Sequence, residues 1–193
     1  MTSILHTKKF QLSKEIVDIQ LDLLRKFTRS LAYYRAIHQD IQILEHNKVF
    51  WKHTMNSHYL RALTDWCIVF GADSNESHWK NLSQDEINKL KLEVRPLILT
   101  AAKFTKSDWK KYHTEVTDFR NGYASHRNID FSSNVPSLDK AYEIAKSYFE
   151  WLKELLRPAR NEPKPLSVLF PEAQIEILNI LKNDLKKDNN YVK

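Results

Sequence analysis

Two glycines in 193 residues narrow the fold of this chain more than any other feature of its sequence. Tight hairpins and phosphate-cradling loops use backbone conformations that glycine alone adopts freely. An all-β architecture is therefore not expected, and neither is a Rossmann or P-loop nucleotide site. A content of 42% hydrophobic and 11% aromatic residues supports a substantial core. The length suits one domain, with room for an appended tail.

The apolar residues recur at helical spacing. Ile16, Ile19, Leu23, Phe27, Leu31, Tyr34, Ile37, Ile41 and Leu44 follow one another every three or four residues from Ser13 onward, as one stripe of a long helix. Trp51, Met55, Tyr59, Leu63, Trp66 and Phe70 mark a second helix, with Gly71 placed as its C-terminal cap. Residues 72–83 read as a loop that His78 and Trp79 anchor. Ser83–Glu86 carries the capping-box pattern and is expected to open a helix toward Phe104, with Pro96 kinking or dividing it. Ser107 is the expected cap of the next helix, whose seam of Trp109, Tyr112, Val116, Phe119 and Tyr123 faces the core. Ser137 is expected to cap a further helix that carries Leu138, Tyr142, Ala145, Phe149, Leu152 and Leu156 and stops before Pro158. The expectation is an all-α bundle of four principal helices with additional short helices over residues 1–157. A proline-rich linker over 158–170 and a C-terminal amphipathic helix and tail over 171–193 would follow.

A formal net charge of +6 favours anionic partners such as RNA, DNA or an acidic membrane surface, although charges of both signs interleave along the chain. Cys67 is the only cysteine, which excludes an intrachain disulfide and a multi-cysteine zinc site; within "WCIVF" it reads as a buried structural thiol. No HExxH pattern occurs, and His53 and His58 lie five apart rather than four, so neither a metal site nor a cofactor is expected. The N-terminal residues lack the apolar core of a signal peptide, and no apolar run reaches the length of a membrane span. A cytoplasmic protein without membrane association is expected.

The stretch Asp118–Asn128, "DFRNGYASHRN", holds the best candidates for chemistry. A histidine titrating near neutrality, His126, suits proton exchange with the 2′-hydroxyl of RNA or with the leaving 5′-oxygen. Arg120 stays protonated and suits stabilisation of a pentacoordinate phosphate, while Asn121 suits orienting either partner. Arg127, Lys110 and Lys111 are candidate phosphate contacts. In a straight helix, six positions leave Arg120 and His126 about 120° apart and about 9 Å along the axis, so they do not converge. Either Gly122 must distort the helix, or a twofold dimer must bring two copies of the stretch together. The plain alternative pairs Arg120 with Glu115, Asp118 or another acid and leaves His126 at a helix end.

"RNGYASH" matches the R-x(4–6)-H pattern of the HEPN superfamily, including the polar residue after the arginine. Together with "HYLRALTDWCIVFGADSNESHWKNL" and "VPSLDKAYEIAKSYFEWL", it makes residues 49–156 resemble the HEPN branch associated with phage abortive infection. The resemblance implies a helical bundle, often a homodimer, and in many members a metal-independent endoribonuclease of a defence, abortive-infection or toxin–antitoxin system. It also implies RNA as substrate, an antitoxin or defence partner, catalytic roles for Arg120 and His126, and an assisting role for Asn121. One departure is Asn128, which stands where some HEPN toxins carry a tyrosine that a partner enzyme modifies. The alternative function is a non-catalytic helical module that binds protein or nucleic acid.

Overall fold

The computed structural model describes residues 4–7, 9–40, 47–125, 134–157 and 163–188. Among these the chain is mostly helical, with α1 at Lys14–Asp40, α2 at Lys48–Phe70, α3 at Ile87–Ala102, α4 at Lys106–Phe119, α5 at Asp139–Leu156 and α6 at Leu166–Asp188. α1 packs along both α2 and α6, and α3 packs along α5. Ile41, Leu44 and residues 158–162 of the expected linker lie outside the described residues. No helix among the described residues is long and apolar enough to cross a membrane.

A small hairpin precedes α1 and was not legible in the periodicity. Its strands, β1 at Ile4–His6 and β2 at Gln11–Ser13, pair antiparallel with Leu5 opposite Leu12. The turn closes without glycine: Thr7 Oγ1 accepts from the Phe10 N–H at 2.9 Å, and the Thr7 N–H donates to the Phe10 carbonyl. Phe10 and Leu12 are thereby driven into the core, where Phe10 meets the edge of Trp151 at 6.2 Å.

Along α1 the buried face carries Val17, Leu24, Phe27 and Leu31, but Ile19 is 46% exposed, against expectation. The inward position belongs to its neighbour Gln20, about 100° round the helix. That buried amide is satisfied twice: it accepts from the Tyr148 hydroxyl at 2.6 Å and donates to the Ser77 carbonyl at 3.0 Å. A polar residue with its partners in place can replace an apolar one in the core.

Capping differs from the sequence reading at three helices. The N-cap of α3 is Glu86, not Ser83; its carboxylate caps no helix amide and instead accepts from the Gln11 N–H and pairs with Lys89. Pro96 does not divide α3, which runs through it from Ile87 to Ala102 with Pro96 exposed. α4 is capped by Thr105, not Ser107, through a reciprocal box in which Thr105 Oγ1 accepts from the Asp108 N–H and Asp108 accepts from the Thr105 N–H. At α5 the N-cap is Leu138, one residue beyond Ser137, whose hydroxyl still accepts from the Asp139 N–H at 3.2 Å.

α6 begins at Leu166, inside the stretch expected to be linker. Pro163 and Pro165 stay outside the helix, and the Pro165 carbonyl accepts from the Val168 and Leu169 N–H groups. Leu166, Leu169, Ala173, Ile177 and Leu181 are buried at spacings of three and four, so one stripe runs the length of the packed helix. Its far end joins Ala36, Ile37 and Trp51 in a second small core.

Gly71 ends α2 as expected, but with φ −83° it takes no left-handed conformation. Space is what requires glycine there: a Cβ would lie 2.4 Å from the Cys67 carbonyl oxygen. Gly71→Ala is expected to lower the unfolding free energy by about 1–3 kcal/mol. A urea midpoint shifted at unchanged slope would show it.

His78 anchors the loop after α2, as expected. Its ring is 1% exposed, and its Nδ1 accepts from the Lys80 N–H at 3.2 Å. Burial pushes its pKa down to about 4, against the pull of nearby Asp73. An unfolded histidine titrates at about 6.5, so the unfolded chain takes up this proton first as pH falls. Stability from this group is complete above that value and declines by on the order of 3 kcal/mol as pH drops toward 4. Urea midpoints between pH 7 and 4.5 should fall more steeply for the wild type than for His78→Gln; parallel profiles would contradict this.

Candidate functional site

α4 does not simply stop after its core seam. Val116 and Phe119 are buried, and then the backbone widens into a π-helical turn over Arg120–Ser125. Gly122 sits buried inside that turn. A π turn shifts hydrogen bonding from i→i+4 to i→i+5, which rotates the following side chains away from the α-helical register. Tyr123 shows the consequence. The seam predicts it in the core, yet it is 45% exposed and stacks on Phe119 at 5.1 Å.

Arg120 occupies the junction between the α and π segments. It is half-buried, and its Nε is buried without a hydrogen-bond partner. No carboxylate lies within ion-pair distance of it among the described residues, so pairing with Glu115 or Asp118 does not occur. The guanidinium instead approaches Cys67 on α2. Burial pushes that thiol up to about 12, and the arginine opposes the rise. Cys67 is 1% exposed and protonated at neutral pH, in keeping with a structural thiol.

Asn121 is exposed beside Arg120. Lys110 and Lys111 are exposed on α4, but ten and nine residues of helix place them about 13–15 Å along the axis from Arg120. They do not share a single phosphate with it. His126, Arg127 and Asn128 lie outside the described residues.

Two tyrosines tie down the chain on the far side of the motif. The Tyr59 hydroxyl donates to the Pro136 carbonyl at 2.7 Å. The Tyr112 hydroxyl donates to the Ser137 carbonyl at 2.9 Å and accepts from the Ala141 N–H. Beside Arg120's helix, Tyr34, His38, Tyr59, Phe119, Tyr123 and Val135 help line a groove of about 450 Å³. Its floor is aromatic, because Tyr34 meets Tyr59 at 5.2 Å and Tyr59 meets the edge of Phe119 at 6.0 Å. Sequence periodicity placed these rings in the core and so missed the groove. The signal was present in Gly122, which interrupts the seam between Phe119 and Tyr123 where the helical register changes.

Among the described residues, no group of three or more His, Cys, Asp or Glu side chains is arranged to hold a metal ion. No family model, curated protein or solved structure matches the chain.

Proposed function

We propose that this chain is a HEPN-type, metal-independent endoribonuclease acting as a homodimer in the cytoplasm, within a prokaryotic defence, abortive-infection or toxin–antitoxin system. The observation that carries the proposal is Arg120: a cation set at an α-to-π transition, with a buried Nε lacking a partner and no acid to neutralise it among the described residues. Such turns concentrate at functional sites, and an unneutralised guanidinium is suited to an incoming phosphate. His126 removes the proton of the 2′-hydroxyl or protonates the departing 5′-oxygen. Arg120 stabilises the phosphorane, and Asn121 orients the phosphate. The products are a 2′,3′-cyclic phosphate and a 5′-hydroxyl, so RNA is cut and DNA is spared. The exposed Tyr123 and the aromatic groove beside it offer a surface on which an unpaired base stacks.

One observation favours a second reading. Arg120 lies against the buried Cys67, as a residue locking α4 onto α2 in a non-catalytic binding module would. RNA cleavage in EDTA by the wild type, Arg120→Ala and His126→Ala separates the two. The ribonuclease requires cleavage by the wild type alone. Equal rates in all three, or none in folded wild type across structured and unstructured RNAs, sink it.

A further inference from the structure

A second feature involves the opposite end of α4, its first turns. The end of α2, the loop through His78, α3 and the first turns of α4 enclose a cavity of about 350 Å³. That volume is within the range of about 300–1,000 Å³ usual for small-molecule sites. Its walls are largely apolar, from Trp79, Ile98, Leu99 and Trp109. Trp79 is 4% exposed and forms a fixed back wall, whereas Trp109 is only half-buried and leaves ring surface available.

The charges of this cavity do not cancel. Asp73 is bonded to Lys80 and lies 3.6 Å from His78 Nε2, so its carboxylate is already neutralised. Arg95 and Lys106 also line the cavity, and neither has a hydrogen-bond or ion-pair partner among the described residues. His113 adds no charge-seeking group, because its Nε2–H donates to the Phe70 carbonyl at 2.9 Å and the Gly71 carbonyl at 3.2 Å. Two cations are left over beside an apolar, aromatic wall. A phosphomonoester carries about −1.5 to −2 charge at neutral pH, which matches this pair where a single carboxylate does not. The planar ring of such an ester has a counterpart in the Trp109 face.

We propose that this cavity binds a small ring-bearing phosphomonoester, its dianion held between Arg95 and Lys106 and its ring against Trp109. The site goes beyond the ribonuclease reading and uses neither Arg120 nor His126. His113 and Arg120 are seven residues apart on one helix, about 10 Å along its axis.

Calorimetry with AMP, supported by tryptophan fluorescence from Trp79 and Trp109, tests the assignment. AMP should bind with a stoichiometry of one per chain. Adenosine, which lacks the anion, and inorganic phosphate, which lacks the ring, should each bind far more weakly. Arg95→Gln and Lys106→Gln should each weaken AMP by about tenfold or more, the effect of losing a charge-assisted hydrogen bond. Both side chains are exposed, so these variants should keep the far-UV circular dichroism of the wild type. Arg120→Ala should bind AMP normally, whatever its effect on RNA. The proposal is overturned if wild type shows no AMP binding at millimolar concentration, or if phosphate alone binds as tightly as AMP. It is equally overturned if AMP binding survives both cation substitutions, or if Arg120→Ala abolishes it.

Discussion

His126→Ala is expected to lower RNA cleavage in EDTA by about 10²–10⁴-fold, the usual contribution of a positioned proton-transfer group. Arg120→Ala is expected to cost about 10²–10³-fold, as removal of a preorganised donor to a developing oxyanion does. Arg120→Lys should recover only part of that loss, because an ammonium keeps the charge but not the planar fork. Stability distinguishes catalysis from a structural lock. No carboxylate lies within ion-pair distance of Arg120 among the described residues, so truncating the side chain breaks no ion pair there and gives up only its contact with the Cys67 thiol. The urea midpoint of Arg120→Ala should therefore move little while cleavage collapses. A large fall in midpoint for Arg120→Ala, with His126→Ala as active as the wild type, would favour the locking role.

Legibility in the sequence followed the strength of each local signal. The cores of α1, α2 and α5 were plain because Phe27, Leu31, Trp66, Phe70, Phe149 and Leu152 repeat at three and four, and burial rewards that spacing directly. Helix ends were less plain. Ser83 and Ser107 had the right chemistry, yet Glu86 and Thr105 hold the N-cap positions, because capping depends on where the preceding chain delivers the helix. Gln20 displaced Ile19 from the interior through partners 57 and 128 residues away, which no local pattern encodes. At the motif, the sequence set out a choice between a distorted helix and a dimer. A π turn is present at Arg120–Ser125, around Gly122, while His126 lies outside the described residues. What the periodicity could not show was the price in register, paid by Tyr123, which left the core for the surface. The cavity between α3 and α4 was hidden for a related reason: Arg95 and Lys106 are ordinary surface cations until the fold brings both into the lining of one cavity.

Trp66→Ala is expected to lower the unfolding free energy by about 3–5 kcal/mol, the range for deleting a large aromatic ring from a packed core. The indole is fully buried and meets Phe70 at 5.2 Å, Trp109 at 6.2 Å and Tyr112 at 6.2 Å, so it joins α2 to α4. Its Nε1 is buried with no hydrogen-bond partner. An unsatisfied buried donor costs about 1–3 kcal/mol, so Trp66→Phe removes that cost while keeping one ring of the contact. The phenylalanine variant should therefore lose clearly less than the alanine variant, because the smaller cavity it leaves is partly offset by removal of the unsatisfied donor. Urea unfolding followed by far-UV circular dichroism measures both. A Trp66→Phe loss as large as that of Trp66→Ala would mean that the indole nitrogen contributes to stability after all. The consequence reaches the motif, because Trp66 precedes the Cys67 that Arg120 lies against. Loosening α4 from α2 displaces Arg120, so on the ribonuclease reading Trp66→Ala should lose cleavage together with stability, and Trp66→Phe should keep more of both.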